Sequence, residues 1–154
     1  MEKDKKQHIG YLTNGINLDH IPSGNAWYII KVLNLKNKNN QIGVGLNLPS
    51  KKLGLKDLIK IENGILTKDE IDAISLFCVG SSLSIIENYK VTKKIIISLP
   101  PVINNIIVCP NTRCVSHQHV SKFITSKNRQ GKITLTCHYC EQTFFLENIK
   151  NYKI

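Results

Sequence analysis

Cys109-Pro-Asn-Thr-Arg-Cys114, twenty-two residues, then Cys137-His-Tyr-Cys140: this stretch holds four of the chain's five cysteines, as a C-x4-C and a C-x2-C pair. Two close-set pairs at a separation of roughly 15–25 residues suit two thiolate knuckles that meet around one tetrahedral Zn²⁺. Each pair sits on a tight turn, for which Pro110 and Asn111 are apt residues, so backbone amides can point at the sulfurs and steady their negative charge. Two disulfides are the other reading. Residues 1–6 are charged at once and lack the apolar core of a signal peptide, and disulfides are uncommon inside cells. The sequence therefore predicts metal ligation by Cys109, Cys114, Cys137 and Cys140. With every position filled by protein sulfur, the site is closed and the metal structural.

Around this stretch, the 154-residue chain has room for a domain of about 100 residues plus a small metal-held module. The cysteine segment is too short for a large core, so metal binding must supply much of its folding energy. The single Trp and most aliphatic runs lie in the first hundred residues, and Ser98-Leu-Pro-Pro101 marks the boundary. The expected division is 1–99 and 100–154. No apolar run approaches the ~18 residues of a membrane span, and a cytoplasmic location with no membrane partner is expected.

The formal net charge is +10. That suits a nucleic acid, an anionic small ligand or an acidic protein partner. Yet a chain crowded with Lys, Ile and Asn is also what AT-rich coding produces. Its only arginines are Arg113 and Arg129, whereas base readout leans on Arg. No lysine block is interleaved with aromatics, so nucleic-acid binding through a zinc ribbon stands as the alternative, not the first reading.

Along the first hundred residues, residues 8–20 read as extended chain broken by an Asn14-Gly15 turn. Pro22-Ser23 opens a helix with Ser23 as N-cap; Ala26, Ile29, Ile30 and Leu33 form its apolar stripe, and residues 36–40 end it. Residues 41–48 form a strand with Val44, Leu46 and Leu48 on one face and Gly43, Gly45 and Asn47 on the other. A second strand covers residues 58–62, closed by Asn63-Gly64. Thr67-Lys-Asp-Glu70 is a capping box opening a second helix, with Ile71, Ile74, Phe77 and Cys78 at helical spacing and Gly80 at its end. Cys78 falls on that stripe and reads as core, not ligand. A last strand covers residues 82–91, with Leu83, Ile85, Tyr89 and Val91 of one parity and Ser84, Asn88 and Lys90 of the other.

The order β-α-β-β-α-β predicts an α+β fold: a ferredoxin-like antiparallel sheet with two helices on one face, followed by a small all-β zinc ribbon of rubredoxin type. Helices cover one face only. Gly43, Gly45, Asn47, Lys60 and Ser84 have the parity of the other face, which is open to an anionic ligand, to a dimer contact or simply to solvent.

Several stretches together resemble a known family. Leu18-Asp-His-Ile-Pro22, Gly45-Leu-Asn-Leu-Pro-Ser50, Lys56-Asp-Leu-Ile-Lys-Ile-Glu-Asn63, Asn88-Tyr-Lys-Val91, Val108-Cys-Pro-Asn111 and Cys137-His-Tyr-Cys-Glu141 resemble the regulatory chain of aspartate carbamoyltransferase, in order and with the cysteine spacing intact. The resemblance implies a non-catalytic chain of pyrimidine biosynthesis. Its first domain would bind CTP and UTP as inhibitors and ATP as activator, and its zinc domain would dock on the catalytic chain, in an assembly where regulatory-chain homodimers bridge catalytic trimers. By residue match it places Leu12, Asp19, His20, Lys60, Ser84, Tyr89, Val91 and Lys94 in the nucleotide site. Lys94 and His20 would meet the triphosphate, Lys60 the ribose and base oxygens, and Leu12 and Tyr89 would offer backbone groups. Ser84 stands where the family pattern has Asn, a shorter contact. The docking tip would be residues 111–113, with Lys132, Glu141 and Gln142 nearby; His117 and His119 depart from the pattern and are not expected to bind metal.

No Ser-His-Asp order, phosphate loop or open metal site marks an enzyme. Asp19 and His20 are adjacent, and neighbours on an extended chain point to opposite faces, so they are not expected to form a catalytic pair.

Overall fold

The computed structural model describes residues 11–153. Residues 8–10 of the first extended segment, and the charged start, lie outside the described residues. The chain divides into two compact units, Met1–Ser98 and Leu99–Ile154.

The first unit runs β1 (Gly15–Pro22), α1 (Ala26–Val32), β2 (Ile42–Ser50), β3 (Gly54–Glu62), α2 (Lys68–Cys78), β4 (Ser82–Glu87) and β5 (Lys90–Ile96). Its sheet has the order β2-β3-β1-β4-β5 and is antiparallel throughout. This is the ferredoxin-like arrangement with one strand added at an edge. Ile16, Leu18, Ile59, Ile61 and Leu83 are buried under the helices, whose own buried residues include Ala26, Ile29, Ile74 and Phe77. Tyr28 stacks on Phe77 with ring centroids 4.9 Å apart, tying α1 to α2.

The extra strand arises because residues 82–91 are not continuous. Asn88 and Tyr89 both take positive φ (49° and 65°) and turn the chain into the β4–β5 hairpin. Positive φ at both central residues is the backbone requirement of the tight hairpin turn whose twist matches the strands. A register shift then follows within β5, so Val91 pairs with Ile86 while Lys94 pairs with Ser84. Val91 consequently shares the face of Ser84, not that of Leu83 as strand parity predicts.

A second bulge falls in β2. Asn47 has φ 54°, and the β2–β3 register shifts between Gly45 and Leu48. One inserted residue reverses every side chain beyond it, so Leu48 leaves the face of Val44.

The second helix follows its sequence signals. Glu70 N–H donates to Thr67 Oγ1 (3.2 Å), and Thr67 N–H donates to Glu70 Oε2 (2.9 Å). Gly80, with φ 84°, lies past its end, and Cys78 is buried in the core. The first helix does not. Its N-cap is Asn25, whose side-chain amide donates instead to the Phe77 carbonyl (2.8 Å). The cap comes from Asp57 on β3, which is wholly buried: Oδ2 accepts from the Gly24 amide (2.9 Å) and the Ala26 amide (3.3 Å), and Oδ1 from the Asn47 amide (3.0 Å). Ser23 donates its hydroxyl to Asn47 Oδ1. α1 has no acidic residue in its first turn, so Asp57 also provides the negative charge that the helix start favours.

The second unit is a four-stranded antiparallel sheet in the order β6 (Val102–Asn104), β7 (Lys122–Lys127), β8 (Ile133–Cys137), β9 (Thr143–Phe145). Its buried apolar side chains include Ile103, Ile107, Phe123, Leu135 and Ile149. Ile107 also bridges to Tyr152. Among the described residues, no helix is long and apolar enough to cross a membrane.

Asp57→Ala strips the acceptors from three amides and is expected to cost roughly 2–4 kcal/mol, against about 1 kcal/mol for Thr67→Ala. Urea unfolding followed by Trp27 fluorescence compares them; an equal or smaller loss for Asp57 would refute its role as the tie. The capping box carries a pH signature as well. The Thr67 amide, chiefly, holds the Glu70 carboxyl below its usual 4.5, so this stabilisation is present above about pH 4.5 and is lost as the pH falls through the lower folded value.

Candidate functional sites

The four cysteines converge from two turns of the second unit. Cys109 and Cys114 bracket a turn in which the Cys114 amide donates to the Asn111 carbonyl (2.9 Å) and the Arg113 amide to Asn111 Oδ1 (3.1 Å). Cys137 ends β8, and Cys140 lies in the turn to β9, where the Glu141 amide donates to the Cys137 carbonyl (2.9 Å) and Glu141 takes φ 59°. The four Sγ atoms lie within 4.8 Å of one another, with Cys109–Cys140 at 3.8 Å and Cys114–Cys137 at 3.7 Å. A disulfide needs about 2.0 Å. Four sulfurs at about 2.3 Å from a tetrahedral Zn²⁺ stand about 3.8 Å apart, so the donor set and its spacing fit a zinc site.

The cluster's electrostatics ask for a cation. Burial pushes the Cys109 thiol up, only partly opposed by the Asn111 amide, and the sulfurs of Cys140 and Cys137 push the same way. For Cys137 burial is again the largest influence, but the Cys140 and Tyr139 amides and the Ser116 hydroxyl outweigh it and bring the thiol down to about 7. Ser116, itself buried, sits 3.0 Å from Cys114 Sγ and 3.6 Å from Cys137 Sγ. His117 uses Nδ1 to donate to the Cys109 carbonyl (2.7 Å), steadying the knuckle from outside the ligand set.

The other candidate site is the face of the first sheet that no helix covers among the described residues. Registered partners of an antiparallel pair carry their side chains on the same face. Gly43 pairs with Lys60, Lys60 with Asn17, Asn17 with Ser84 and Ser84 with Lys94, so these five form one row across all five strands. Lys60 and Ser84 are each 8% exposed, whereas Lys94 is exposed at the edge. Burial depresses the Lys60 ammonium pKa, an effect that the charge of Asp19 partly offsets.

Asp19 and His20 lie toward the other end of β1, at a bulge between Leu18 and Ile21 where His20 takes φ 58°. That turn undoes the expectation that adjacent side chains diverge: His20 Nδ1 is 3.8 Å from Asp19 Oδ1, and the His20 amide donates to the same oxygen (2.6 Å). Lys56 reaches Asp19 Oδ1 at 2.8 Å. Burial works to raise the Asp19 pKa, but the Lys56 hydrogen bond, the His20 amide and both positive charges hold it below its usual value.

Leu12 and Tyr89 lie at the opposite end. Leu12 is buried, and the Tyr89 amide donates to the carbonyl of Thr13 (2.9 Å), while Tyr89 and Val91 are both exposed. The structure thus sets Asp19, Lys60, Ser84, Val91 and Lys94 along one face, with Leu12 and Tyr89 at its turn end.

The sequence profile described as aspartate carbamoyltransferase regulatory chain, allosteric domain, matches residues 7–98, and that of the same chain's metal binding domain matches residues 101–150. The chain belongs to the aspartate carbamoyltransferase regulatory chain family. Proteins of that name from Tolumonas auensis and Escherichia coli O7:K1 are 40% and 39% identical to it, covering 96% and 94% of this chain and 96% and 95% of their own lengths. One from Photorhabdus laumondii is 39% identical over 94% of each chain. Membership makes this a regulatory, non-catalytic subunit with a metal-binding domain.

Two residues of the regulatory chain's open face escape pattern reading. Lys56 carries the parity of Lys60, a signal that points to it; Asn17 has nothing to mark it until register sets it between Lys60 and Ser84. Lys132, expected near the cysteine turns, immediately precedes β8 at the end far from Cys137, about 16 Å of strand away, and pairs with Glu147 (3.4 Å).

Metal content gives the check. Cys114→Ser is expected to abolish stoichiometric zinc and Cys78→Ser to leave it unchanged, measured by atomic absorption. Zinc affinity should weaken as pH falls, because protons compete for the thiolates. A Cys78 requirement, or affinity independent of pH, would refute the four-sulfur site.

Proposed function

We propose that the open face of residues 1–99 binds the nucleotide effectors CTP, UTP and ATP, and that residues 100–154 hold one structural Zn²⁺ and dock on the aspartate carbamoyltransferase catalytic chain. The observation that carries the first half is the row Lys60, Asn17, Ser84, Lys94, with Lys56 and Asp19 beside it. A sheet face that buries one ammonium and exposes another suits a ligand with a polar base at one end and phosphates at the other. Lys94 is exposed and can pair with phosphate oxygens, and His20 can join it. Lys60 suits base or ribose oxygens, to which its ammonium can donate. Leu12 and Tyr89 offer carbonyls at the turn end, Val91 an apolar wall, and Ser84 a short hydroxyl. CTP and UTP would act as inhibitors and ATP as activator.

For the second unit the support is the closed donor set. Four sulfurs leave no open metal position, so the metal shapes a surface and does no chemistry. Beside Cys114 that surface exposes Arg113 and Val115, and beside Cys140 Glu141 and Gln142. An acidic partner surface with an apolar centre would fit the first of these. Pairing of two regulatory chains, and a cytoplasmic setting that keeps thiols reduced, complete the reading.

Calorimetry tests the nucleotide half. CTP affinity should fall as salt rises, since phosphate–lysine attraction is screened. Lys94→Ala and Lys60→Ala should each cost about 1.5–3 kcal/mol. The Lys94 loss should vanish with cytidine and the Lys60 loss persist; equal losses for both ligands would reverse or void these roles.

The docking half is tested by zinc removal. A mercurial that displaces zinc is expected to release the catalytic chain, active but unresponsive to CTP, while the regulatory chain still binds nucleotide. A complex that survives complete zinc loss would place docking elsewhere.

A further inference from the structure

Four thiolates around one Zn²⁺ leave two negative charges in excess, and Cys109, Cys114 and Cys137 are buried. Charge taken out of water has to be met by hydrogen-bond donors or by opposite charge. Turn amides meet part of it: that of Asn111 at Cys109, and those of Tyr139 and Cys140 at Cys137. Two further groups stand outside the ligand set. Ser116 is 1% exposed, and its Oγ lies 3.0 Å from Cys114 Sγ and 3.6 Å from Cys137 Sγ. A metal-bound sulfur carries no proton, so in that state the hydroxyl is the donor. Lys153 is the other: its Nζ donates to the Ser116 carbonyl (3.4 Å), which also accepts from the His119 amide (3.3 Å). One residue thus turns its hydroxyl to the sulfurs and its carbonyl to an ammonium.

Backbone pairing places Lys153 there. The Val108 amide donates to the Asn151 carbonyl (3.0 Å) and the Lys153 amide to the Ile106 carbonyl (2.7 Å), on either side of the bridge between Ile107 and Tyr152. Residues 151–153 lie outside the four-stranded sheet and run against the segment that leads into Cys109, where Ile107 is wholly buried.

We infer that Ser116 and Lys153 form an outer shell of the metal site: the Ser116 hydroxyl donates to the Cys114 sulfur, and the Lys153 ammonium offsets the excess negative charge of the filled cluster. Both are positioning groups, since neither ligates the metal. The inference rests on the reading of the four cysteines as a zinc site. Outer-shell partners of this kind set how firmly a metal is held without adding a ligand.

The test uses the full chain at a single pH, with zinc competition against a chelator and absorption spectra of the cobalt(II)-substituted protein. In Ser116→Ala, zinc affinity is expected to fall about tenfold. The sulfur-to-cobalt charge-transfer band should move to lower energy, because a sulfur freed of its hydrogen bond gives up an electron more easily. Lost packing alone would not move that band, and Ser116→Thr, which keeps the hydroxyl, should leave it in place. Lys153→Gln keeps the length and drops the charge; its zinc affinity should fall roughly threefold at low salt and less at high salt, with Lys153→Arg restoring it. An unmoved band in Ser116→Ala, or the same shift in Ser116→Thr, would overturn the assignment. So would wild-type zinc affinity in Lys153→Gln, or an equal loss in Lys153→Arg. A wild-type chain that binds neither zinc nor cobalt would instead sink the four-sulfur site itself, and this inference with it.

Discussion

Four sulfur atoms packed within 4.8 Å of one another, three of them on buried residues, cannot all carry charge without a cation among them. Burial drives one thiol up, and turn amides with a serine hydroxyl draw another down to about 7. The second unit has few buried apolar side chains beyond Ile103, Ile107, Phe123, Leu135 and Ile149. A core of that size is marginal, and metal coordination is what converts two loose turns and four short strands into a defined surface.

The same constraint, that a buried charge must be compensated, organises the first unit. Asp57 spends its carboxylate on the start of α1 and the bulge of β2 at once, so one wholly buried side chain joins both strands of the β2–β3 hairpin to the helix layer. On the other face, Asp19 is compensated by Lys56 and by the His20 amide, and lends part of its field to Lys60. The two carboxylates have opposite destinations because they lie on opposite faces of one sheet. Asp57 is structural; Asp19 holds Lys56 in place on the other face.

Much of this was legible from residue order alone. The cysteine spacing marked the four residues that cluster, the capping box placed the start of α2, and alternation set Ile59 and Ile61 apart from Lys60 and Leu83 apart from Ser84. What escaped was whatever depends on a bulge. Asn47, His20 and the Asn88-Tyr89 pair all take positive φ, and each resets which face the following residues occupy. Asn and His enter that region more readily than most residues, but they do so in a minority of cases. Strand parity counted through such a point assigned Leu48 and Val91 to the wrong faces.

Composition, spacing and local capping therefore determined which four cysteines cluster, the second helix and the family resemblance. Each depends on residues close in the chain or on a pattern that survives any detail of packing. The cap of α1, the pairing of Asp19 with His20, and the row from Gly43 to Lys94 were decided only by tertiary structure. Asp57 reaches amides more than thirty residues away, and the row draws one residue from each of five strands. Strand order and register set such neighbours, and both follow from how apolar faces pack, which no local stretch of sequence records.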